Sequence, residues 1–363
     1  MECVFGTADD GLVFHGVSFR PSDRTIRTFS AETMAGELDD PEVFCWIDMQ
    51  AADIGTLNLV LHYLDIDLVL VNHFDVPEVL PRIVEREDCL AFYLYEIEDP
   101  ELHLDTSHGL SQIRFHRMIL VLGEDFVITY HKHQLDAVDH VKDTCAASFR
   151  LAGRTPGFIA FLFLQRCLYD YAHLNLANDN YLDLLDAESR ANDTRQLAEE
   201  INISGRNILI LKKLSASLHI VLMLLATKRS PFVSPEAQSS FQEMMQNAHA
   251  IREAVDSSRD LLNGILASIQ AAAANRTSEV ARILTIVSGV MLPLSLVAGI
   301  YGMNFVDIPG LATTYGFYVT LGAMGAITTV LMLLFYRLGW IGTRRDAKSS
   351  LRNRSDSADT DGH

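Results

Sequence analysis

Tyr301-Gly302-Met303-Asn304 lies at the end of 24 consecutive residues, 283–306, that carry no charged side chain. An amide at that place offers a carbonyl oxygen to a cation without supplying fixed charge. A ring of several such amides suits a strongly hydrated dication, because Mg2+ sheds its water reluctantly and can be held with its hydration shell on. Counting back from Asn304 at helical spacing gives Gly299 (or Ile300), Ser295, Leu292, Ser288, Leu284 (or Thr285), Ala281 and Ser278. This stripe is small or hydroxylic with leucines between, and the opposite side carries Ile286, Val290 and Val297. Two readings fit it equally: a water-lined path in which Leu292 and Leu284 form apolar constrictions, or a close helix–helix contact through small residues.

Other groups with chemical potential are weaker. His131-x-His133 would place two imidazoles on one face of a strand as a Zn2+ pair, but no third ligand is evident. The acids Asp183, Asp186, Glu188, Asp193, Glu199 and Glu200 read as a solvated helix face that could also gather cations. Five dispersed cysteines, with no CxxC pair, read as reduced, buried thiols. Walker, HExxH and nucleophile-elbow patterns are missing from the sequence, so an enzyme is not expected and no cofactor is implied. The net charge of −18 argues against nucleic acid as a partner, since phosphate binding needs a basic surface.

The elements that must carry the stripe follow from length and charge. A bilayer core needs roughly 20 apolar residues. Residues 283–306 supply one such run, and residues 308–336 supply a second of 29 uncharged residues. Only Asp307 is charged between them. Arg276 and Arg282 precede the first run; Arg337, Arg344, Arg345, Lys348, Arg352 and Arg354 follow the second. Basic flanks mark the cytoplasmic side, which predicts both termini inside, a short outer loop, and lipid around the second span. The chain start, MECVFGTADDGLVF, lacks a basic segment followed by an apolar core, so no signal peptide is expected. After Pro235 no proline occurs until Pro293. A helix from Pro235 to Asn304 would be about 100 Å long and would need oligomeric neighbours for much of its length.

Residues 1–150 read as an α/β domain. Short buried-strand patterns occupy residues 43–49, 89–97 and 125–133; RFHRMILVLG, residues 114–123, pairs with the last through a turn at Gly123-Glu124-Asp125. Residues 52–64 carry a helical pattern, and two long amphipathic segments fill residues 151–235. The division continues as a stalk helix over 236–281, a first transmembrane helix over 282–304, a loop over 305–315, a second transmembrane helix over 316–337, and a basic, then disordered tail over 338–363.

The signature Gly302-Met303-Asn304, closing the first of two C-terminal spans, resembles that of the CorA family of divalent cation transporters. The likeness runs from Asn275 to Phe305 and on to the Arg337…Trp340 exit, with fainter similarity over residues 80–97 and 160–230. It implies a funnel-shaped homopentamer in a bacterial inner membrane, with the α/β domain in the cytosol and the stalk helix continuing as the pore helix. It implies that Gly302, Met303 and Asn304 form the outer selectivity position. Ser295 matches a pore hydroxyl position, and Leu292, Leu284 and Ser278 match further pore-lining ones, beside Ser288 and Gly299 from the stripe. Family members that carry magnesium commonly have Met-Pro-Glu-Leu after the signature; here the loop reads Ile308-Pro309-Gly310-Leu311, with Asp307 nearby as a substitute cation attractor. An Ile-Pro-Gly loop is closer to zinc-transporting relatives. Between Asp260 and Glu279 the stalk has no acid, so the carboxylate that lets intracellular Mg2+ close gated relatives is missing. The expected function is channel-like transport of Mg2+, or of Co2+ or Ni2+. The alternatives are Zn2+ transport, proton-coupled in form, and a non-conducting scaffold.

Overall fold

The structure is a computed structural model describing residues 12–66, 71–75, 79, 83–100, 103, 110–151, 155–189, 194–227, 233, 235–303 and 315–341. It divides into two compact units, residues 1–266 and 267–363.

The first unit is built on a seven-stranded mixed sheet. Its strands are β1 (Val13–Arg20), β2 (Thr25–Phe29), β3 (Phe44–Gln50), β4 (Ile83–Glu85), β5 (Cys89–Ile97), β6 (Phe115–Gly123) and β7 (Phe126–His131). The spatial order is β2-β1-β3-β7-β6-β5-β4. Only β3 and β7 run parallel; the other neighbours are antiparallel. The strands expected from the aromatic and β-branched runs are present, whereas the β1–β2 edge pair and the three-residue β4 carry too little apolar signal to stand out. The β6–β7 hairpin turns where the sequence predicts. A Cβ on Gly123 would sit 2.4 Å from the Phe126 ring, so any side chain there would have to displace that ring.

All nine residues of β5 are buried, and β3 is buried over six of seven. Strands covered on both faces lose the polar/apolar alternation of a half-exposed sheet. Helices α1 (Met34–Leu38) and α2 (Gly55–Tyr63) follow β2 and β3. One face of the sheet meets helix α3 (Asp136–Leu151) and helix α4 (Gly157–Ser189). There Phe19, Phe44, Phe149 and Phe158 form an aromatic cluster with centroids 5.0–6.0 Å apart, and Trp46 meets Phe163 edge-on at 5.7 Å. On the other face the guanidinium of Arg117 lies over the Tyr93 ring at 4.8 Å and the Tyr95 ring at 5.5 Å. It also donates to the backbone carbonyls of His73 and Phe74, fastening that segment to the sheet.

Helix α5 (Thr194–Thr227) packs along α4. Helix α6 runs without a break from Pro235 to Tyr301, 67 residues, with Pro293 inside it. Its last buried apolar side chains are Val255, Leu262 and Ile265. In the second unit, helix α7 (Gly316–Arg337) lies beside the end of α6, and no described residue of α7 is buried.

Candidate ion-conducting helix

The C-terminal turns of α6 carry the predicted stripe. Leu284, Ser288, Leu292, Ser295 and Gly299 are all exposed, Leu292 by 71%. The opposite side, with Ile286, Gly289, Val290, Pro293, Leu294 and Val297, is half-covered. Part of that cover comes from α7: a Cβ on Gly289 would lie 3.1 Å from Cζ of Phe335. The absence of a side chain lets the two helices approach, as small residues do between membrane helices. Close helix packing within the chain therefore uses the side opposite the stripe. Ser278 is exposed too, but at about 100° per residue it falls on the flank of that line.

Four threonine hydroxyls of these helices are satisfied locally. Thr285 donates to the Ala281 carbonyl at 2.8 Å, Thr320 to Gly316 at 3.0 Å, Thr328 to Met324 at 2.9 Å and Thr329 to Gly325 at 2.8 Å. Such i−4 bonds let a hydroxyl sit in hydrocarbon without an orphaned donor.

The helix ends at the signature. The Gly302 N–H donates to the Ala298 carbonyl at 2.9 Å and to Gly299 at 3.2 Å, and the Met303 N–H donates to Ile300 at 3.3 Å. A Cβ on Gly302 would lie 3.1 Å from the Ala298 carbonyl oxygen, so glycine suits this closing turn. Met303 is 51% exposed. Asn304 and Asp307, with the Ile308-Pro309-Gly310 loop, lie outside the described residues.

The His131-x-His133 pair does not form. His131 ends β7 and is 2% exposed; its Nδ1 lies 2.6 Å from the His133 carbonyl oxygen and its Nε2 3.1 Å from an Asp48 carboxylate oxygen. The His133 ring instead lies against His116, centroids 4.4 Å apart. A strand that stops at His131 cannot hold both rings on one face. Among the described residues no group of three His, Cys, Asp or Glu side chains could hold a metal ion. Cys45, Cys89, Cys145 and Cys167 are buried free thiols; burial pushes Cys45 up to about 12 and Cys89 to about 11. They are therefore neutral and unreactive. Asp183 and Glu199 are exposed, in keeping with a solvated face.

Two buried acids of the sheet strands escaped the sequence reading. Asp48, in the middle of β3, accepts from Thr129 (2.6 Å), His131 and Lys142 (2.9 Å). Burial alone would raise its carboxyl, but the His131 hydrogen bond and charge, with Lys142 and Thr129, hold it below the ordinary carboxylate value. Both His131 nitrogens face oxygens, so the ring is fixed between Asp48 and the His133 carbonyl. The second acid, Glu96, has the reverse environment. In each case the available signal was a lone acid inside an apolar strand run, FCWIDMQ and CLAFYLYEI.

The family model described as CorA-like Mg2+ transporter protein matches residues 41–337. The chain belongs to the CorA-like family. It is thus a membrane protein and a divalent metal cation transporter rather than an enzyme, and the end of α6 with α7 are its transmembrane helices. It is 25% identical over 234 residues to the cobalt/magnesium transport protein CorA of Thermotoga maritima, covering 64% of this chain and 67% of that one. It is 22% identical over 267 residues to the protein of the same name from Methanocaldococcus jannaschii, covering 72% and 80%. The complete structure of the CorA magnesium transporter from that organism superimposes with a TM-score of 0.72 over 93% of this chain and all of that one. At 18% identity over that superposition, this likeness shows the shared fold.

Proposed function

We propose that this CorA-like chain assembles as a homopentamer in a bacterial inner membrane, termini in the cytosol, and conducts Mg2+ inward down the membrane potential. The observation that carries the reading is the stripe. Leu284, Ser288, Leu292, Ser295 and Gly299 remain open on the side of α6 away from α7. A single chain cannot enclose a path with one stripe, whereas a ring of copies, each giving one stripe to the axis, can. Asn304 then contributes an uncharged amide to the outer mouth, where Gly302 and Met303 complete the signature, and Asp307 draws cations toward it. Leu292 and Leu284 narrow the path with apolar side chains that can close it by excluding water.

A second reading, Zn2+ transport, is favoured by one feature: Gly310 stands where magnesium-carrying relatives place Glu. Flux of Mg2+, Co2+, Ni2+ and Zn2+ into proteoliposomes, each at two pH gradients, separates the two. Mg2+ uptake that ignores the proton gradient supports the first reading. A Zn2+ preference that follows the proton gradient replaces it with the second, and no flux of any of the four points to a scaffold.

A further inference from the structure

Glu96 sits in β5 on the sheet face covered by α3 and α4, and it is 4% exposed. Its Oε1 accepts the backbone N–H of Ala137, in the first turn of α3. Its Oε2 is buried and has no hydrogen-bond partner. A buried carboxylate with an unsatisfied oxygen is costly, whereas a neutral carboxylic acid there is far less so.

The charged surroundings favour the neutral form. Asp136 at the start of α3 and Asp170 on α4 repel a negative charge on Glu96; Arg166 on α4 is the opposing cation, but its Nε is engaged by Asp170 at 3.0 Å. Also on α4, Cys167 and Tyr171 are fully buried, held neutral by burial, and bonded to the Tyr95 carbonyl beside Glu96. On β6, His116 is the register partner of Glu96, but its Nε2 is 3.4 Å from Glu98 and its ring lies against His133. Burial and the neighbouring acids thus leave Glu96 without a cation of its own, since Arg166 is engaged by Asp170.

We propose that Glu96 is a proton-binding site of the α/β unit, whose occupancy makes the seating of α3 and α4 on the sheet depend on pH near neutrality. Burial, ahead of the two neighbouring acids, pushes its carboxyl up to about 8, while Asp170 rises only to about 6. A carboxyl raised on folding binds its proton more tightly in the folded state. Its stabilising contribution is therefore complete below the ordinary glutamate value and is lost as pH rises through about 8.

The test is infrared difference spectroscopy of the full-length chain in lipid, between a pH just above the Asp170 titration and a pH well above that of Glu96. The expected result is loss of one protonated-carboxyl band that shifts on glutamate-specific 13C labelling, vanishes in Glu96→Gln and persists in Asp170→Asn. Labelling reads the wild-type protein, so the result does not depend on the variants folding. Thermal unfolding should agree: the wild-type midpoint falls across the same interval, and Glu96→Gln flattens that fall. A spectrum with no label-sensitive carboxyl band in this interval, or unfolding curves with equal pH slopes, overturns the proposal.

Discussion

Among the described residues three helices are long and apolar enough to cross a bilayer, yet they meet different surroundings. Half of the most apolar window of α5 is buried by protein, whereas the corresponding windows of α6 and α7 have nothing buried. Hydrophobicity is therefore shared between core and membrane helices, and polar fastening tells them apart. On α5, Asn207 accepts from the Ile113 N–H at 2.9 Å and donates to the Ser111 carbonyl at 3.0 Å, and Ser204 donates to Asn178 of α4 at 3.0 Å. These bonds to other elements fix α5 against protein. The hydroxyls of Thr285 on α6 and of Thr320, Thr328 and Thr329 on α7 close on their own helix, which leaves lipid and further copies to cover these helices.

The sharpest way to break the first half of this contrast is to remove the central acid of the α/β unit. Asp48→Asn strands the Lys142 ammonium without its anion and removes the carboxylate partner of His131. Breaking a buried ion pair costs about 3–5 kcal/mol, so the denaturant midpoint should drop steeply at neutral pH. The sign follows from the lowered carboxyl. Asp48 stabilises the fold above the ordinary aspartate value, and that share is lost as pH falls through its lower folded value. In the variant this acid limb disappears.

A smaller effect separates the two kinds of helix directly. Val330 on α7 is 64% exposed and Leu209 on α5 is 51% exposed. Val330→Asp should cost about 2.5–3.5 kcal/mol of membrane insertion, read as the fraction of chain resisting alkaline extraction. Leu209→Asp should leave both insertion and folding within about 0.5 kcal/mol of wild type. Equal effects at the two positions would erase the distinction. Smaller again is Asn207→Leu, which orphans the Ile113 N–H and the Ser111 carbonyl. At about 1–3 kcal/mol for an unsatisfied buried group, thermal unfolding of the α/β unit should shift down while insertion of α6 and α7 is unchanged.

Much of this was legible in the sequence. The uncharged lengths located both spans, and the spacing of Ser288, Leu292, Ser295 and Gly299 located the open face of α6, because a helix repeats every 3.6 residues whatever surrounds it. The central strands stood out because β3 and β5 are apolar on both faces. The β1–β2 pair did not, since Thr25-Ile26-Arg27-Thr28-Phe29 is a mostly exposed edge. His131-x-His133 misled because period-two spacing says nothing about where a strand ends. Asp48 and Glu96 were invisible as a pair, because their opposite behaviour comes from residues distant in sequence: Thr129, His131 and Lys142 around one, Asp136 and Asp170 around the other.

The central claim is that the open stripe of α6 leads from an Asn304 ring into a cation path. The measurement that tests it is Mg2+ uptake by proteoliposomes holding equal amounts of wild-type chain and Asn304→Ala, with the oligomer checked by mass. The prediction is strong uptake by the wild type and none above protein-free vesicles for an Asn304→Ala protein that still assembles. Uptake at the wild-type rate by an assembled Asn304→Ala protein would contradict it.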